Sequence, residues 1–152
     1  MGAEAKLAEL GITVPEVVPP VAAYQPTART GNLVFTAGQL PARDGEMIAV
    51  GKLGGEVTEE QGYECARQCA LNALAAVKAE IGSLDDVKRV VKVVVFVAST
   101  PDFTGQPKVA NGASELLGEV FGDAGTHARS AVGVAELPLG VPVEVEMIVE
   151  VR

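Results

Sequence analysis

Residues 87–99, Val-Lys-Arg-Val-Val-Lys-Val-Val-Val-Phe-Val-Ala-Ser, constrain the fold of this chain more than any other stretch. Valine is branched at Cβ, which disfavours helix and suits a pleated, half-buried surface. The segment therefore predicts a long central strand, and the rest of the chain has to be arranged around it. Residues 143–151 supply a second strand of a different kind. Val143, Val145, Met147, Val149 and Val151 fall on one face, and Glu144, Glu146, Ile148 and Glu150 on the other. The first face belongs to a core, and the second is one that would normally be solvated.

Two helices are predicted between and before these strands. Thr58-Glu59-Glu60-Gln61 has the capping-box pattern, with helical spacing continuing through Ala66, Ala70, Ala73, Leu74, Val77 and Ile81 to a stop at Gly82. Its alanines allow close approach to a sheet, its Cys65 and Cys69 pack as small apolar groups, and Asn72 reads as a structural hydrogen-bonder. Pro107 to Phe121, with proline near the first turn and Gly122 after the end, predicts the second helix. Residues 3–10 predict a short helix closed by Gly11, and Val14 to Pro20 an extended, proline-rich segment. Tyr24–Thr30 and Asn32–Gly38 read as strands turning at Gly31-Asn32, and Met47–Lys52 as a short strand after Asp44-Gly45. His127–Ala135 and Val143–Val151 are the last two, joined across Leu137–Gly140. The order β-β-β-α-β-α-β-β predicts an α+β sandwich, a mixed sheet with two main helices on one face.

Length and charge narrow the function. A chain of 152 residues with 48% apolar composition is one domain with an ordinary core and not a disordered polymer. The longest strongly apolar run, Val93–Ala98, is too short for a membrane span, and no signal peptide is visible, so a cytoplasmic protein without a membrane partner is expected. Twelve Lys and Arg against twenty Asp and Glu give a net charge of −8, which argues against a nucleic-acid partner. One histidine and two thiols make a poor metal set, so no metal is expected.

Candidate chemistry lies in the last two strands. His127, Arg129, Ala131 and Gly133 share a face of the first of them. If the four-residue loop closes a hairpin, Glu136 pairs with Val141, and Arg129 and Glu144 share a face roughly 13 Å apart along the strands. They would then flank a small anion. The competing reading makes both residues surface salt-bridge partners between subunits.

The order of motifs resembles the YjgF-like reactive-intermediate deaminase (Rid) family, also labelled L-PSP endoribonuclease. The residues that carry the resemblance are Tyr24, Gly31–Pro41, Gln68 and Asn72, Val87-Lys88, Asp102-Phe103, Asn111, Ala128-Arg129-Ser130, Leu137-Pro138 and Val143-Glu144-Val145-Glu146. They run in order from about residue 20 to the C-terminus, so 1–20 reads as an extension and 21–152 as the domain. The resemblance implies a chorismate-mutase-like fold and a homotrimer with ligand clefts between subunits. It implies that Arg129 binds a substrate carboxylate and that Glu144 holds water or moves protons. It implies that Tyr24, Gly38 through its backbone N–H, Asn111 and the backbone at Ala131 line the cleft, and His127, which shares a strand face with Arg129, is then expected to line or border it.

The implied activity is hydrolysis of small 2-enamino or 2-imino acids to 2-oxo acids and ammonia, with no cofactor. Two alternatives remain: a non-catalytic trimer that binds carboxylate metabolites, and an endoribonuclease. Ala37 in place of the usual serine, Ala22-Ala23 before the tyrosine, and the altered 121–127 segment mark a longer subgroup with its own pocket.

Overall fold

The computed structural model describes residues 2–17, 19–20 and 22–152. In chain order the elements are α1 Ala3–Glu9, β1 Thr27–Thr30, β2 Leu33–Thr36, β3 Ala42–Arg43, β4 Glu46–Met47, α2 Glu59–Ile81, β5 Val87–Ala98, α3 Gln106–Phe121, β6 Ala128–Val134 and β7 Val143–Val151. Of the segment expected to be extended, 14–20, Val18 lies outside the described residues. So do Met1 and Val21, at the starts of the two expected domain ranges.

The Val-rich strand is central, as its composition requires. Five strands form one sheet in the order β1-β2-β7-β5-β6, with β5 antiparallel to β7 and parallel to β6. Both α2 and α3 cover one face. Val93, Val95 and Val97 of β5 and Val143, Val145 and Met147 of β7 are buried under them. Each such side chain contributes roughly 1.5–3 kcal/mol through removal from water.

The capping box at Thr58 is present, its side chain accepting from the Gln61 N–H while Gln61 Oε1 accepts from the Thr58 N–H. Glycine and alanine set the helix spacing. A Cβ on Gly112 of α3 would stand 2.0 Å from the Tyr63 carbonyl oxygen of α2, so the two backbones touch at this point. Asn72 is structural, donating to the carbonyls of Leu40 and Ala42 at 2.9 Å each and thereby fixing the chain that enters β3. Cys65 and Cys69 are free and buried, and burial pushes both thiols up, Cys65 to about 11. Helix α1 is packed against the domain through Ala3 and Leu7.

Three expectations change. The strand predicted at Met47–Lys52 is displaced: Asp44-Gly45 turns a two-stranded ribbon, β3 with β4, and pairing ends at Met47. Strand β1 begins at Thr27 and not at Tyr24. The third change is larger. β6 and β7 do not form a hairpin, because β5 lies between them. The connecting segment passes over the end of β5, where the Ser99 N–H donates to Val134 O and the Ala98 N–H to Pro142 O. Eight residues, 135–142, are enough chain to step over one strand, so a turn signal there did not imply that its flanking strands pair.

Candidate functional site

The strand order separates residues that a hairpin would have joined. Arg129 is opposite Val93, whose side chain faces the helices, and Glu144 is opposite Phe96, three positions along β5. Residues three apart in a strand point to opposite faces. Within one chain, Arg129 therefore projects on the helix side of the sheet and Glu144 on the open side. Two strand spacings and three residues also separate them, roughly 10 Å in each direction. The expected shared face is corrected: one chain offers two half-sites.

The first half-site lies between β6 and α3. Arg129 Nη1 donates to Asn111 Oδ1 at 2.9 Å and to Ser114 Oγ at 3.2 Å, and Nη2 donates to the Pro107 carbonyl at 3.4 Å. Ser114 Oγ lies 2.9 Å from His127 Nε2, and His127 Nδ1 lies 2.6 Å from Gly125 O. A carbonyl only accepts, so Nδ1 carries a hydrogen, and in the neutral ring Nε2 accepts from the Ser114 hydroxyl. Asn111, Arg129 and His127, all anticipated from sequence, come together here, and Ala131, on the same strand face as Arg129, packs against the core. Ser114 was not anticipated. Its signal was available: it lies three residues after Asn111, so the two share one helix face.

The second half-site is at the open face, where β2 gives way to the following loop. The register between β2 and β7 gains one residue between the Phe35–Ile148 pair and the Gln39–Val145 bridge, a bulge that contains Gly38. A Cβ on Gly38 would stand 1.9 Å from Glu144 Oε1, so glycine makes room for this carboxylate. The Gly38 N–H has no backbone partner among the described residues. Burial pushes the half-buried Glu144 carboxyl above its ordinary value, and Glu146 nearby pushes it further. Tyr24 precedes Pro26, whose carbonyl accepts from the Ala37 N–H, which puts this exposed tyrosine at the same end of the β1–β2 pair. Across the sheet from Glu144 come Phe96 and then Val132, an apolar row beside the carboxylate. A hollow of about 240 Å³ opens further along this face, lined by Phe35, Lys92, Val94, Glu146 and Ile148 among others.

Among the described residues there is no group of three or more His, Cys, Asp or Glu side chains placed to hold a metal ion. No helix among them is long and apolar enough to cross a membrane.

Comparison with known proteins gives a consistent picture. The chain is 47% identical over 149 residues to protein TCP17 of Trypanosoma cruzi, covering 97% of this chain and 93% of that one. It is 32% identical over 143 residues to the 2-iminobutanoate/2-iminopropanoate deaminase of Dermatophagoides farinae, covering 93% and 95%. Its fold superposes on the crystal structure of Atu1372 from Agrobacterium tumefaciens, a protein of unknown function, with a TM-score of 0.92 at 43% identity, covering 99% and 92%. Residues 4–151 match the family described as "YjgF/chorismate_mutase-like, putative endoribonuclease". The resemblance seen in the motifs is thus established, and the chain belongs to the YjgF/chorismate-mutase-like family.

Proposed function

We propose that the protein is a cofactor-free deaminase that hydrolyses small 2-imino or 2-enamino acids to 2-oxo acids and ammonia. The observation that carries this reading is the Glu144 carboxyl, half-buried against Gly38 with its proton affinity raised. A group that only bound a ligand would not need a proton, whereas a relay works best when its affinity approaches neutral pH. The 32% identical relative named as a 2-iminobutanoate/2-iminopropanoate deaminase supports the same chemistry.

The steps follow from the bond to be broken. The guanidinium of Arg129 binds the substrate carboxylate through parallel N–H bonds. For an enamine, a proton from solvent adds to C3 and the N-protonated imine forms; an imine takes that proton on nitrogen directly. Ionised Glu144 then takes a proton from a water molecule whose oxygen adds to C2 of the N-protonated imine, and the C=N electron pair moves to nitrogen, leaving a neutral amine. Glu144 returns its proton to the amine nitrogen of the tetrahedral adduct. The C–N bond breaks with its electron pair staying on nitrogen, C=O forms as the hydroxyl proton passes to Glu144 and on to solvent, and ammonia leaves. The free Gly38 N–H is available to hold the water or the developing oxygen.

Because Arg129 and Glu144 lie on opposite faces of one sheet, this reading needs a second copy of the chain. A homotrimer, with the open face of one subunit meeting the β6 edge of the next, brings the two half-sites to one cleft. A purely ligand-binding trimer is the second reading, favoured by the hydrogen bonds to uncharged acceptors that tether Arg129 and leave its charge for a ligand. An endoribonuclease is disfavoured by the net charge of −8.

The test is hydrolysis of 2-iminobutanoate generated in situ, measured beside mass in solution. Arg129→Ala should abolish acceleration while the oligomer stays intact, and Arg129→Lys should restore little, because an ammonium lacks the fork. Glu144→Gln should lower turnover while binding of 2-oxobutanoate survives. An Arg129→Ala protein that dissociates, or one that stays folded with full activity, would overturn the catalytic reading.

A further inference from the structure

We infer that Ser114, held in turn by His127, is a positioning residue that selects which edge of the Arg129 guanidinium meets the ligand. The inference rests on Arg129 being the carboxylate anchor. A guanidinium has five N–H groups: two edges carry a pair, Nε–H with Nη2–H and Nη1–H with Nη2–H, and the fifth hydrogen stands alone on Nη1. Both hydrogens of Nη1 are committed, one to Asn111 Oδ1 and one to Ser114 Oγ. That leaves the edge formed by Nε–H and Nη2–H, where only the long 3.4 Å bond to Pro107 O competes. A carboxylate is therefore received side-on, by Nε and Nη2, and the Nη1 side serves as the tether.

Ser114 does not behave as an ordinary helical serine. Such a side chain commonly bonds back to the carbonyl one turn earlier. Here it bonds out of the helix, to Arg129 and His127. Its single hydroxyl hydrogen has to go to one neighbour. The Arg129 N–H can only donate, so the Ser114 oxygen accepts from it and its hydrogen points at His127 Nε2. Nε2 can accept because the Gly125 carbonyl holds the ring hydrogen on Nδ1. The direction of every hydrogen bond from Gly125 to Arg129 is thus set by one backbone carbonyl. His127 acts through Ser114 and is not placed to touch the substrate's reacting atoms, which gives a physical basis to its bordering the cleft.

A double-mutant cycle on the full-length protein tests this, with 2-oxobutanoate as the binding probe. Ser114→Ala should weaken probe binding about fivefold to tenfold, less than the roughly tenfold to hundredfold of a wholly lost hydrogen bond to a charged group, because the Asn111 tether remains. His127→Ala should weaken it in the same direction, and the double variant should be no weaker than Ser114→Ala alone, since the two act in series. KM for imine hydrolysis should rise by the same factor with kcat changed less than about twofold, and Ser114→Thr should recover most of the loss. Unchanged binding in Ser114→Ala, or effects that multiply in the double variant, would overturn the inference. Arg129→Ala is measured alongside. If it binds the probe as well as the parent, the anchor reading itself fails; if it alone loses binding, only the positioning role fails. Should Ser114→Ala not fold, His127→Ala and its KM against kcat decide the matter.

Discussion

At the scale of single residues, Gly38 and Glu144 form the tightest coupling in the candidate site. The φ angle of Gly38 is outside the left-handed region, so alanine fits its backbone, and the nearest obstacle is the Glu144 side chain. Gly38→Ala should therefore fold with a stability change under about 1 kcal/mol, because a flexible side chain can swing away. The swing displaces the carboxylate, and imine hydrolysis should fall at least about tenfold. Full activity in a folded Gly38→Ala protein would separate Glu144 from the chemistry. Glu144 also makes a prediction about pH. Its proton affinity is raised in the fold, so it stabilises the fold only while protonated. That contribution is present below the ordinary carboxylate range and is lost as pH rises through that range toward the raised value. Ionised Glu144 is then a cost at neutral pH. Glu144→Gln should raise the denaturation midpoint near pH 7 and change it little near pH 4. A variant less stable than its parent near neutrality would contradict the burial argument. Much of this scale was legible in the sequence, since Arg129, Asn111, Gly38 and Glu144 were identified by motif. Ser114 was not: its place three residues after Asn111 puts the two on one helix face, but that spacing names no partner for the serine until Arg129 is seen to bond it.

At the scale of elements, local patterns gave the types correctly and the partners less so. Capping box, proline and glycine located α2 and α3 to within a residue or two, because caps are satisfied by neighbours in the chain. The alternation of β7 gave its buried face, because that pattern depends only on one strand. Pairing depends on distant chain. β6 lies beside β5 after the crossover through α3, leaving β7 the opposite edge, and nothing within residues 127–151 encodes that choice. Crossing geometry is similarly non-local but testable. Gly112 abuts backbone of α2, which cannot rotate away as a side chain can. Gly112→Ala should cost about 1–3 kcal/mol or more by forcing the helices apart, although alanine is the better helix former. Thermal unfolding measures it, and a gain in stability would show that the α2–α3 contact is loose.

At the scale of the whole molecule, the opposed faces of Arg129 and Glu144 tie the proposed deaminase chemistry to the proposed trimer, so that one can be tested through the other. If each active site takes Arg129 from one subunit and Glu144 from its neighbour, two inactive variants should complement each other. An Arg129→Ala subunit still carries Glu144, and a Glu144→Gln subunit still carries Arg129. In a ring of three, every mixed trimer contains one interface that joins the two intact groups and two that do not. With equal amounts assorting at random, about three quarters of trimers are mixed, so about a quarter of parental activity per subunit should return. Co-refolding the two variants and assaying 2-iminobutanoate hydrolysis against each variant alone gives the measurement. A site confined to one chain predicts no recovery at any mixing ratio. Recovery that needs mixed refolding, and is absent when preformed oligomers are simply combined, would place the cleft between subunits. It would also explain why the strand order separates two residues whose chemistry must be joined.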